Sequence, residues 1–298
     1  MSIGTFLPLF VKSQWLTTIP VPQTSFAGQT IIITGANTGL GYEAARHLVR
    51  LGVSKLIIAV RTTSKGEAAA ADLIASTKAT RDVIEVWPLD LSDPESIKAF
   101  GARVNTLDRL DGVIQNAGMA SHHWKTIAGH EAHVAVNVIG AMLVGLSVLP
   151  KLRESATKFG TRNRLTFVGS DTYYFAQFKE ANTQGSLLAA LDDEAKVNQT
   201  DRYPTSKLLI FYAVRELAAR SPITPDSNVV INVVTPGLCR SDLMRDANSL
   251  GMKIFEFIFM GLFARKTEVG GRTLVHAVST DLPEDAHGKF VMDCKVTE

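Results

Sequence analysis

Short apolar runs alternate with longer amphipathic segments from residue 28 to the C-terminus. The short runs are typical of buried strands, and the segments between them carry apolar residues at helical spacing. This alternation predicts a parallel sheet covered by helices on both faces, because each parallel crossover is usually a helix. We therefore expect an α/β protein, a Rossmann-type doubly wound parallel sheet of about seven strands in one domain.

The predicted strands are Thr30–Thr34, Lys55–Val60, Val83–Leu89, Gly112–Gln115, Arg164–Gly169, Val229–Val234 and Lys289–Met292. The predicted helices are Tyr42–Leu51, Lys65–Ser76, Pro94–Leu107, Glu131–Ala156, Ser206–Arg220 and Glu268–Ser279. They predict a single domain over residues 28–298 after an N-terminal extension over residues 1–27. The irregular residues 171–202 and 237–266 are interpreted as lid-like insertions, because long loops in compact domains are usually functional.

Charge and cysteine content exclude several classes of protein. The chain has 31 Lys and Arg against 29 Asp and Glu, and a balance of +2 gives no reason to expect nucleic acid as a partner. Its two cysteines, Cys239 and Cys294, have neither disulfide-framework nor metal-site spacing, so no metal is expected. Free thiols fit a reducing compartment, and we expect a cytoplasmic protein.

Two apolar runs bear on membrane association. The run from Ile3 to Trp15 is interrupted by Pro8, and the run from Ile254 to Ala264 contains Glu256. Both are shorter than the roughly 20 apolar residues that a transmembrane helix needs. We expect no transmembrane span, and peripheral membrane contact through either run stays open.

A glycine-rich turn joins the first predicted strand to the first helix. It reads Gly35-Ala-Asn-Thr-Gly39-Leu-Gly41. Glycines at such a turn let the backbone approach a pyrophosphate, and the helix N-terminus supplies free N–H groups and partial positive charge. The turn predicts a dinucleotide site, with its candidate residues being Gly35, Asn37, Thr38, Gly39, Leu40 and Gly41.

The end of the second predicted strand indicates which dinucleotide is bound. Folds that prefer NAD place an acidic residue here to bind the adenosine ribose hydroxyls. This strand ends instead at Arg61, which can pair with a 2′-phosphate, and Lys65 could add a second charge. NADP(H) is therefore favoured over NAD(H).

Small and polar residues follow the next two strands. Asp90 and Leu91 come after the third strand, where an adenine ring would lie. Asn116, Ala117 and Gly118 come after the fourth, where small residues permit backbone contact with a ribose. Both loops therefore add candidate residues to the predicted cofactor site at this edge of the sheet.

A tyrosine and a lysine stand four residues apart at the start of a predicted helix. This spacing puts Tyr203 and Lys207 on the same helix face, one turn apart. A nearby cation favours the phenolate form of a tyrosine and so makes it a usable acid or base. Ser170, at the end of the fifth predicted strand, supplies a hydroxyl that can bind a substrate oxygen.

Taken in order, these motifs resemble the short-chain dehydrogenase/reductase family from about residue 28 to the C-terminus. They are Thr34-Gly-Ala-Asn-Thr-Gly-Leu-Gly41, Asp90, Asn116-Ala-Gly118, Asn137, Ser170, Tyr203-x-x-x-Lys207 and Pro236-Gly237. The resemblance implies an enzyme that transfers a hydride between NADP(H) and a carbonyl or alcohol, with the hydride chemistry residing in the cofactor.

The resemblance also implies a role for each matched residue. Tyr203 would be the general acid or base, Ser170 would orient the substrate oxygen, and Lys207 would lower the tyrosine pKa and bind the nicotinamide ribose. Asn137 would hold a water that links Lys207 to solvent. Pro236, Gly237 and Ser241, which replaces the usual threonine of the family, would contact the nicotinamide carboxamide.

One departure concerns the interval between Ser170 and Tyr203. Its 33 residues exceed the interval in compact family members, so an insertion must loop away without displacing Ser170. Ser170 is preferred because it ends a predicted strand, and Ser186 is the alternative if the loop folds otherwise.

Aromatic and apolar residues near the site predict an apolar substrate. We assign Tyr173, Tyr174 and Met244 to the substrate pocket, although each could instead pack an insertion onto the domain. The sequence also resembles the retinol-dehydrogenase-like and fungal secondary-metabolism branches, which implies a polycyclic, aromatic or isoprenoid substrate. The alternative function is an NADP(H)-binding scaffold or sensor without redox turnover, and homo-oligomerisation through the long helices stays open.

Overall fold

The computed structural model describes residues 8–240 and 261–297. Its strands are β1 (Thr30–Thr34), β2 (Lys55–Val60), β3 (Ile84–Pro88), β4 (Gly112–Gln115), β5 (Thr126–Ile127), β6 (His130–Glu131), β7 (Asn163–Val168), β8 (Val229–Thr235), β9 (Phe290–Met292) and β10 (Lys295–Val296). Eight of these strands form one sheet in the order β10-β9-β8-β7-β4-β1-β2-β3, while β5 and β6 pair separately.

Helices cover both faces of the sheet. They are α1 (Gly39–Arg50), α2 (Thr63–Thr77), α3 (Pro94–Val104), α4 (Ala141–Phe159), α5 (Leu187–Leu191), α6 (Gln199–Ala219) and α7 (Thr267–Val278). A π-helical segment, Val134–Gly140, leads directly into α4, and another, Lys12–Leu16, lies in the N-terminal extension. Short 3₁₀ turns occupy Arg81–Val83, Asp171–Phe175, Lys179–Asn182 and Glu284–Ala286.

Alternate residues of the central strands enter two separate hydrophobic cores. Ile32 and Ile57 pack with α3, α4 and α6 on one face of the sheet. Ile31, Ile33 and Ile58 pack with α1, α2 and α7 on the other face. Successive side chains of a strand point to opposite faces, so strands that are apolar at every position require a helical layer on each side.

The strand order reverses at the centre of the sheet. β1 is paired with β2 on one side and with β4 on the other, and all three strands are parallel. The chain crosses over in opposite directions from this point, which opens a crevice at the carboxyl ends of the two central strands. The turns after β1 and β4 meet there, since a Cβ built on Gly35 would lie 3.0 Å from Ala117 Cα.

The predicted fold class is confirmed, and the differences lie at the ends of elements. All seven predicted strands are present and mutually parallel, and the sheet gains β10, a two-residue antiparallel strand at one edge. The predicted helix Ser206–Arg220 starts earlier, at Gln199, and therefore includes Tyr203 and Pro204 in its interior. The predicted helix Glu131–Ala156 likewise starts with a strand residue and the π-helical segment.

The insertion over residues 171–202 contains more regular structure than the sequence predicted. Two 3₁₀ turns and α5 occupy it, and its last four residues belong to α6. Asp201 fastens this insertion, since its carboxylate accepts hydrogen bonds from the backbone N–H groups of Gln177 at 2.9 Å and Phe178 at 3.1 Å. Hydrogen bonds of this kind involve no apolar side chain. The spacing of apolar residues alone therefore did not predict these turns.

An ion pair makes a second attachment between the insertion and α6. Arg202 Nη2 lies 2.6 Å from Glu180 Oε1, and the arginine side chain is only 1% exposed. Asp201 and Arg202 immediately precede Tyr203, so the insertion is anchored beside this tyrosine. The long interval between Ser170 and Tyr203 is accommodated in this way without separating the two residues.

The π-helical segment and α4 together form a long apolar helix. Within the described residues, Val134–Phe159 is long and apolar enough to cross a membrane by length and composition alone. More than half of its most apolar stretch is buried inside the domain. Core helices of α/β domains have the same composition, so this segment is weak evidence for a membrane span.

Removing the carboxylate of Glu180 tests the attachment of the insertion. In Glu180→Gln the buried guanidinium of Arg202 loses its charged partner. We therefore expect the free energy of unfolding to fall by about 3 kcal/mol. Glu216→Gln on α6 is the control, because its partner Arg220 is exposed, and we expect the free energy of unfolding to fall by less than about 1 kcal/mol. Equal small changes for both variants in urea denaturation would contradict this assignment of stability.

Candidate active site

Two glycines of the glycine-rich turn have a backbone conformation with positive φ. Gly35 has φ +67° and Gly39 has φ +62°, values that favour glycine over other residues. A Cβ on Gly39 would meet nothing within 4 Å, so the turn is open on that side. Among the described residues, no side chain caps the N-terminus of α1 at Thr38. The first N–H groups of α1 are therefore not occupied by a side-chain cap, and such groups can bind a pyrophosphate.

Asn116 braces the inner side of this turn. Its Nδ2 donates to the carbonyl of Thr34 at 2.9 Å and to that of Gly35 at 3.2 Å. A Cβ on Gly41 would lie 2.5 Å from the same nitrogen, which only glycine avoids. The backbone N–H of Ala117 donates to Thr34 Oγ1 at 2.9 Å. The turn after β4 thus fixes the turn after β1.

The other predicted cofactor residues lie along the same edge. Arg61 and Lys65 are exposed at the end of β2 and the start of α2, and neither takes part in an ion pair among residues 8–240 and 261–297. The Asp90 carboxylate accepts hydrogen bonds from Ser92 N at 2.9 Å and Ser92 Oγ at 2.6 Å, while Leu91 is buried. Asn37 and Leu40 are half-buried beside the open turn.

Ser170 and Tyr203 are brought together although 33 residues separate them. Burial raises the pKa of Tyr203 to about 12, a hydrogen bond with Ser170 acts in the opposite direction, and the charge of Asp171 adds to the rise. Ser170 Oγ also accepts hydrogen bonds from Thr172. Ser186, the alternative serine, is exposed and caps α5 through a 3.3 Å bond from Ala189 N.

Lys207 is buried one helical turn after Tyr203. Its Nζ lies 5.6 Å from the centre of the tyrosine ring and donates to the carbonyl of Val168 at 2.9 Å. Burial lowers the pKa of Lys207 to about 8. The sequence predicted that this lysine lowers the tyrosine pKa, which stays a prediction. The pKa of Tyr203 is raised on balance because loss of water around the phenol outweighs its hydrogen bond with Ser170. The phenol is therefore protonated at neutral pH.

Asn137 links three parts of the site. Its Oδ1 accepts from Met119 N at 2.8 Å, and its Nδ2 donates to Met119 O at 2.9 Å and to Ser206 Oγ at 3.1 Å. A Cβ on Gly118 would lie 3.1 Å from Asn137 Oδ1. These bonds tie the turn after β4 to α6. The water that Asn137 was predicted to hold stays a prediction.

The turn after β8 contains Pro236 and Gly237. Gly237 has φ +71°, and its N–H donates to Thr235 Oγ1 at 3.1 Å. A Cβ there would lie 2.8 Å from Arg265 Nη1. Ser241, which was predicted to follow this turn in the cofactor site, lies outside the described residues.

The predicted substrate residues have different surroundings. Tyr173 is buried, stacks on Tyr174 with ring centres 4.1 Å apart, and meets the edge of Phe290 at 5.1 Å. These are the contacts of a core residue, so its assignment to the substrate pocket gains no support from them. Tyr174 is half-buried against the same core. Met244 lies outside the described residues.

Asp171 is a charged neighbour that the sequence reading did not single out. Its carboxyl group bonds with Thr235, and its Oδ1 is shielded from solvent without a hydrogen-bond partner among the described residues. Burial raises the pKa of Asp171 to about 6, and the charge of Asp293 adds to the rise, while Thr235 and Arg265 oppose it. The sequence offers no periodic signal for such a side chain, because its environment comes from distant segments.

A buried ion pair of Glu131 and His133 lies beside Tyr203. His133 Nδ1 is 2.7 Å from Glu131 Oε1, and its ring meets the Tyr203 ring edge-on with centres 6.4 Å apart. His133 Nε2 accepts from Ser121 N at 3.0 Å. Hydrogen bonds at both ring nitrogens fix the imidazole plane against the phenol. In the part of the chain that the structure describes, no cluster of side chains could hold a metal ion.

Comparison with known proteins identifies relatives over the whole chain. A family model described as short chain dehydrogenase matches residues 29–162. Short chain dehydrogenase/reductase dmxR8 of Cryptosporiopsis sp. (strain 8999) is 42% identical over 291 residues, which cover 96% of this chain and 88% of that protein. Short chain dehydrogenase FGM9 of Gibberella zeae is 43% identical over 293 residues, covering 97% and 84%.

Solved structures show the same fold at lower identity. The 3-oxoacyl (acyl-carrier-protein) reductase of Agrobacterium tumefaciens C58 with NADP bound has a TM-score of 0.66 and 18% identity, covering 89% of this chain and 93% of that one. A short chain dehydrogenase of Burkholderia cenocepacia J2315 in complex with NADP has a TM-score of 0.65 and 17% identity, covering 89% and 96%.

Replacing Asp171 by the uncharged Asn tests its unusual proton affinity. The pKa of Asp171 rises on folding from 3.8 to about 6. The folded state therefore binds more protons between these values, and the stability from this group is lost as the pH rises through this window. We expect the melting temperature of Asp171→Asn to rise relative to that of the parent as the pH increases from 4 to 7. A constant difference across this range in thermal melts would show that Asp171 has an ordinary pKa.

Proposed function

Because the chain belongs to the short-chain dehydrogenase/reductase family, we propose that it is an NADP(H)-dependent oxidoreductase acting on a carbonyl or alcohol of a small, mainly apolar molecule. Members of this family are oxidoreductases that bind a nicotinamide cofactor. Our proposal also covers the preference for NADP(H), the class of substrate and the residue that moves the proton.

A single arrangement carries this proposal. Ser170 and Tyr203 are hydrogen-bonded at the carboxyl edge of the sheet, and Lys207 lies one helical turn away. The open glycine turn lies on the same edge of the sheet, after β1. A nucleotide-binding turn and a proton donor at one edge are what hydride transfer to a carbonyl requires.

The chain's own residues would act on the substrate oxygen. The nicotinamide cofactor supplies or accepts the hydride at the substrate carbon. In reduction, Ser170 and Tyr203 donate hydrogen bonds to the carbonyl oxygen, and Tyr203 transfers its phenol proton to that oxygen as the alcohol forms. Lys207 stabilises the resulting phenolate through its positive charge until a proton from solvent replaces the one that left.

A protonated Tyr203 is the form of this residue that can act as the acid in a carbonyl reduction. Its pKa of about 12 keeps the phenol in the acid form at neutral pH. A carbonyl reduction starts from this form, whereas an alcohol oxidation first requires the phenol to lose its proton. Lys207, with a pKa of about 8, is mainly charged at neutral pH.

The preference for NADP(H) is supported by the end of β2. Arg61 occupies the position where NAD-binding folds use an acidic residue, and it is exposed. Its guanidinium is therefore available to a 2′-phosphate, and Lys65 is four residues away at the start of α2. Two solved structures of the same fold contain NADP, which is a property of those proteins.

We further propose that the substrate is a polycyclic, aromatic or isoprenoid compound of fungal secondary metabolism. The relatives from Cryptosporiopsis and Gibberella support the fungal origin of this branch. The apolar composition of residues 237–266, which follow the turn after β8, supports an apolar pocket.

Tyr203→Phe removes the proposed proton donor and keeps the ring. We expect kcat for NADPH-dependent reduction of a ketone to fall at least about 10³-fold, because a general acid contributes 10²–10⁴ and its loss also removes a bond to the substrate oxygen. The dissociation constant for NADPH should stay within about twofold, since the phenol acts on the substrate oxygen.

Tyr212→Phe is the matched control, because Tyr212 is exposed on the same helix. It should keep the kcat of the parent. Near-normal turnover by Tyr203→Phe would refute the proposed acid, and tight NADPH binding without turnover by the parent across a broad carbonyl panel would favour the scaffold function instead.

Arg61→Ala tests the cofactor preference. Loss of a charge-assisted pair with the 2′-phosphate should weaken NADPH binding roughly 10- to 100-fold and leave NADH binding within about twofold. Arg81→Ala is the control, because Arg81 is exposed and paired with Glu67 on α2. Calorimetry with both nucleotides measures the ratio. Equal losses for NADPH and NADH would show that Arg61 does not read the 2′-phosphate.

A further inference from the structure

Four distant segments of the chain meet behind the turn after β8. Arg265 stands at their centre, and its side chain is only 6% exposed. Ser13 comes from the N-terminal extension, Pro236 from the turn itself and Asp293 from the turn between β9 and β10. A buried guanidinium is costly unless carboxylates and carbonyls surround it. These groups provide that surrounding here.

The contacts of Arg265 are specific hydrogen bonds. Nη1 donates to the carbonyl of Pro236 at 3.3 Å, and Nη2 donates to Asp293 Oδ1 at 2.8 Å. Nη2 also donates to Ser13 Oγ at 3.1 Å and to the Ser13 carbonyl. Ser13 Oγ in turn donates to Asp293 Oδ1 at 2.9 Å. We call Ser13, Arg265 and Asp293 the arginine clamp.

The backbone of Arg265 continues the same attachment. Its N–H donates to the Leu238 carbonyl at 2.8 Å, and its carbonyl accepts from Arg240 N at 3.0 Å. Arg265 is therefore also bonded through its backbone to the chain that directly follows Gly237.

The clamp also shapes Gly237 directly. A Cβ on this glycine would lie 2.8 Å from Arg265 Nη1 and 2.6 Å from the side-chain amide of Gln14. In the amide orientation that satisfies both its oxygen and its nitrogen, Gln14 accepts from Leu238 N at 2.8 Å and donates to the carbonyls of Leu238 and Phe263 at 3.3 Å. The N-terminal extension therefore packs against the inner side of the turn and fixes its position.

We propose that Arg265 and Ser13 are positioning residues that hold the Pro236–Gly237 turn in the shape that receives the nicotinamide end of the cofactor. The N-terminal extension, outside the predicted cofactor domain, is then part of the support of this site. This inference rests on the proposed function, which places the nicotinamide carboxamide beside the same turn. None of the clamp's hydrogen bonds given above reaches the ends of β2 and β3, where the adenine end of the cofactor is proposed to bind.

Two ligands separate the nicotinamide end from the rest of the cofactor. NADPH carries the dihydronicotinamide ring, whereas 2′-phospho-ADP-ribose has the same adenosine, 2′-phosphate and pyrophosphate without it. Binding of both is measured by calorimetry on the full chain, and the fluorescence of the bound dihydronicotinamide reports its surroundings directly. Neither measurement depends on turnover.

Arg265→Lys is the main variant, because it keeps the charge but cannot make the same set of bonds. We expect NADPH to bind roughly tenfold more weakly, with a diminished fluorescence change, while 2′-phospho-ADP-ribose binds within about twofold of the parent. Ser13→Ala removes only one hydroxyl and should fold normally. It should shift NADPH binding in the same direction by about threefold.

Arg272→Lys is the matched control. Arg272 Nη1 also binds the N-terminal extension, through the Ile19 carbonyl at 2.9 Å, and it pairs with Glu268 on α7. The substitution is chemically identical, yet none of the hydrogen bonds of Arg272 within the described residues reaches the turn after β8. We expect both ligands to bind this variant within about twofold of the parent.

Each outcome decides the proposal. Equal weakening of both ligands in Arg265→Lys, or no change in Arg265→Lys and Ser13→Ala, would overturn the clamp and leave the proposed function standing. Failure of the parent to bind 2′-phospho-ADP-ribose, or equal affinities of the parent for both ligands with no fluorescence change, would overturn the proposed function and the clamp with it.

Discussion

A phenol and an ammonium group lie close together at the carboxyl edge of the sheet, and the packing around them determines how each holds its proton. Burial raises the pKa of Tyr203 to about 12 and lowers that of Lys207 to about 8. Both shifts favour the neutral forms, because low-dielectric surroundings disfavour any charge. The carbonyl of Val168 at the end of β7 accepts from the ammonium group and limits this cost. The position of the lysine therefore depends on the end of a strand as well as on its own helix.

Polar contacts fix the N-terminal part of α6, the helix that contains Tyr203 and Lys207. Asp201 binds the backbone of the insertion, and Arg202 pairs with Glu180 within it, directly before Tyr203. One turn later Ser206 accepts from Asn137, which itself braces the turn after β4. A helix held on several sides keeps its side chains in one orientation, which proton transfer at a defined distance requires. The insertion thus contributes to the order of the site.

The sequence predicted the sheet well because parallel strands buried on both faces are apolar throughout. All seven predicted strands were found for this reason, and the glycine turn was predicted because positive φ at Gly35 and Gly39 restricts residue choice. Polar contacts between distant segments leave no such pattern. The pairing of Arg202 with Glu180, the burial of Asp171 and the meeting of Ser13 with Arg265 depend on the folded chain, and periodicity could not predict them. The same holds for β10, since a two-residue edge strand is too short to carry a signal.

The two halves of the chain carry different constraints. The family model matches residues 29–162, which contain the glycine turn, the brace from Asn116 and the π-helical segment with Asn137. The cofactor's phosphates are the same for every substrate, so this half needs one geometry. Ser170, Tyr203 and Lys207 lie beyond the matched residues, together with the insertion and the arginine clamp. There the proposed proton donor must keep its place for any substrate. Polar anchors such as Asp201, Arg202 and Arg265 serve this requirement, because they fix the backbone next to Tyr203 and at the turn after β8.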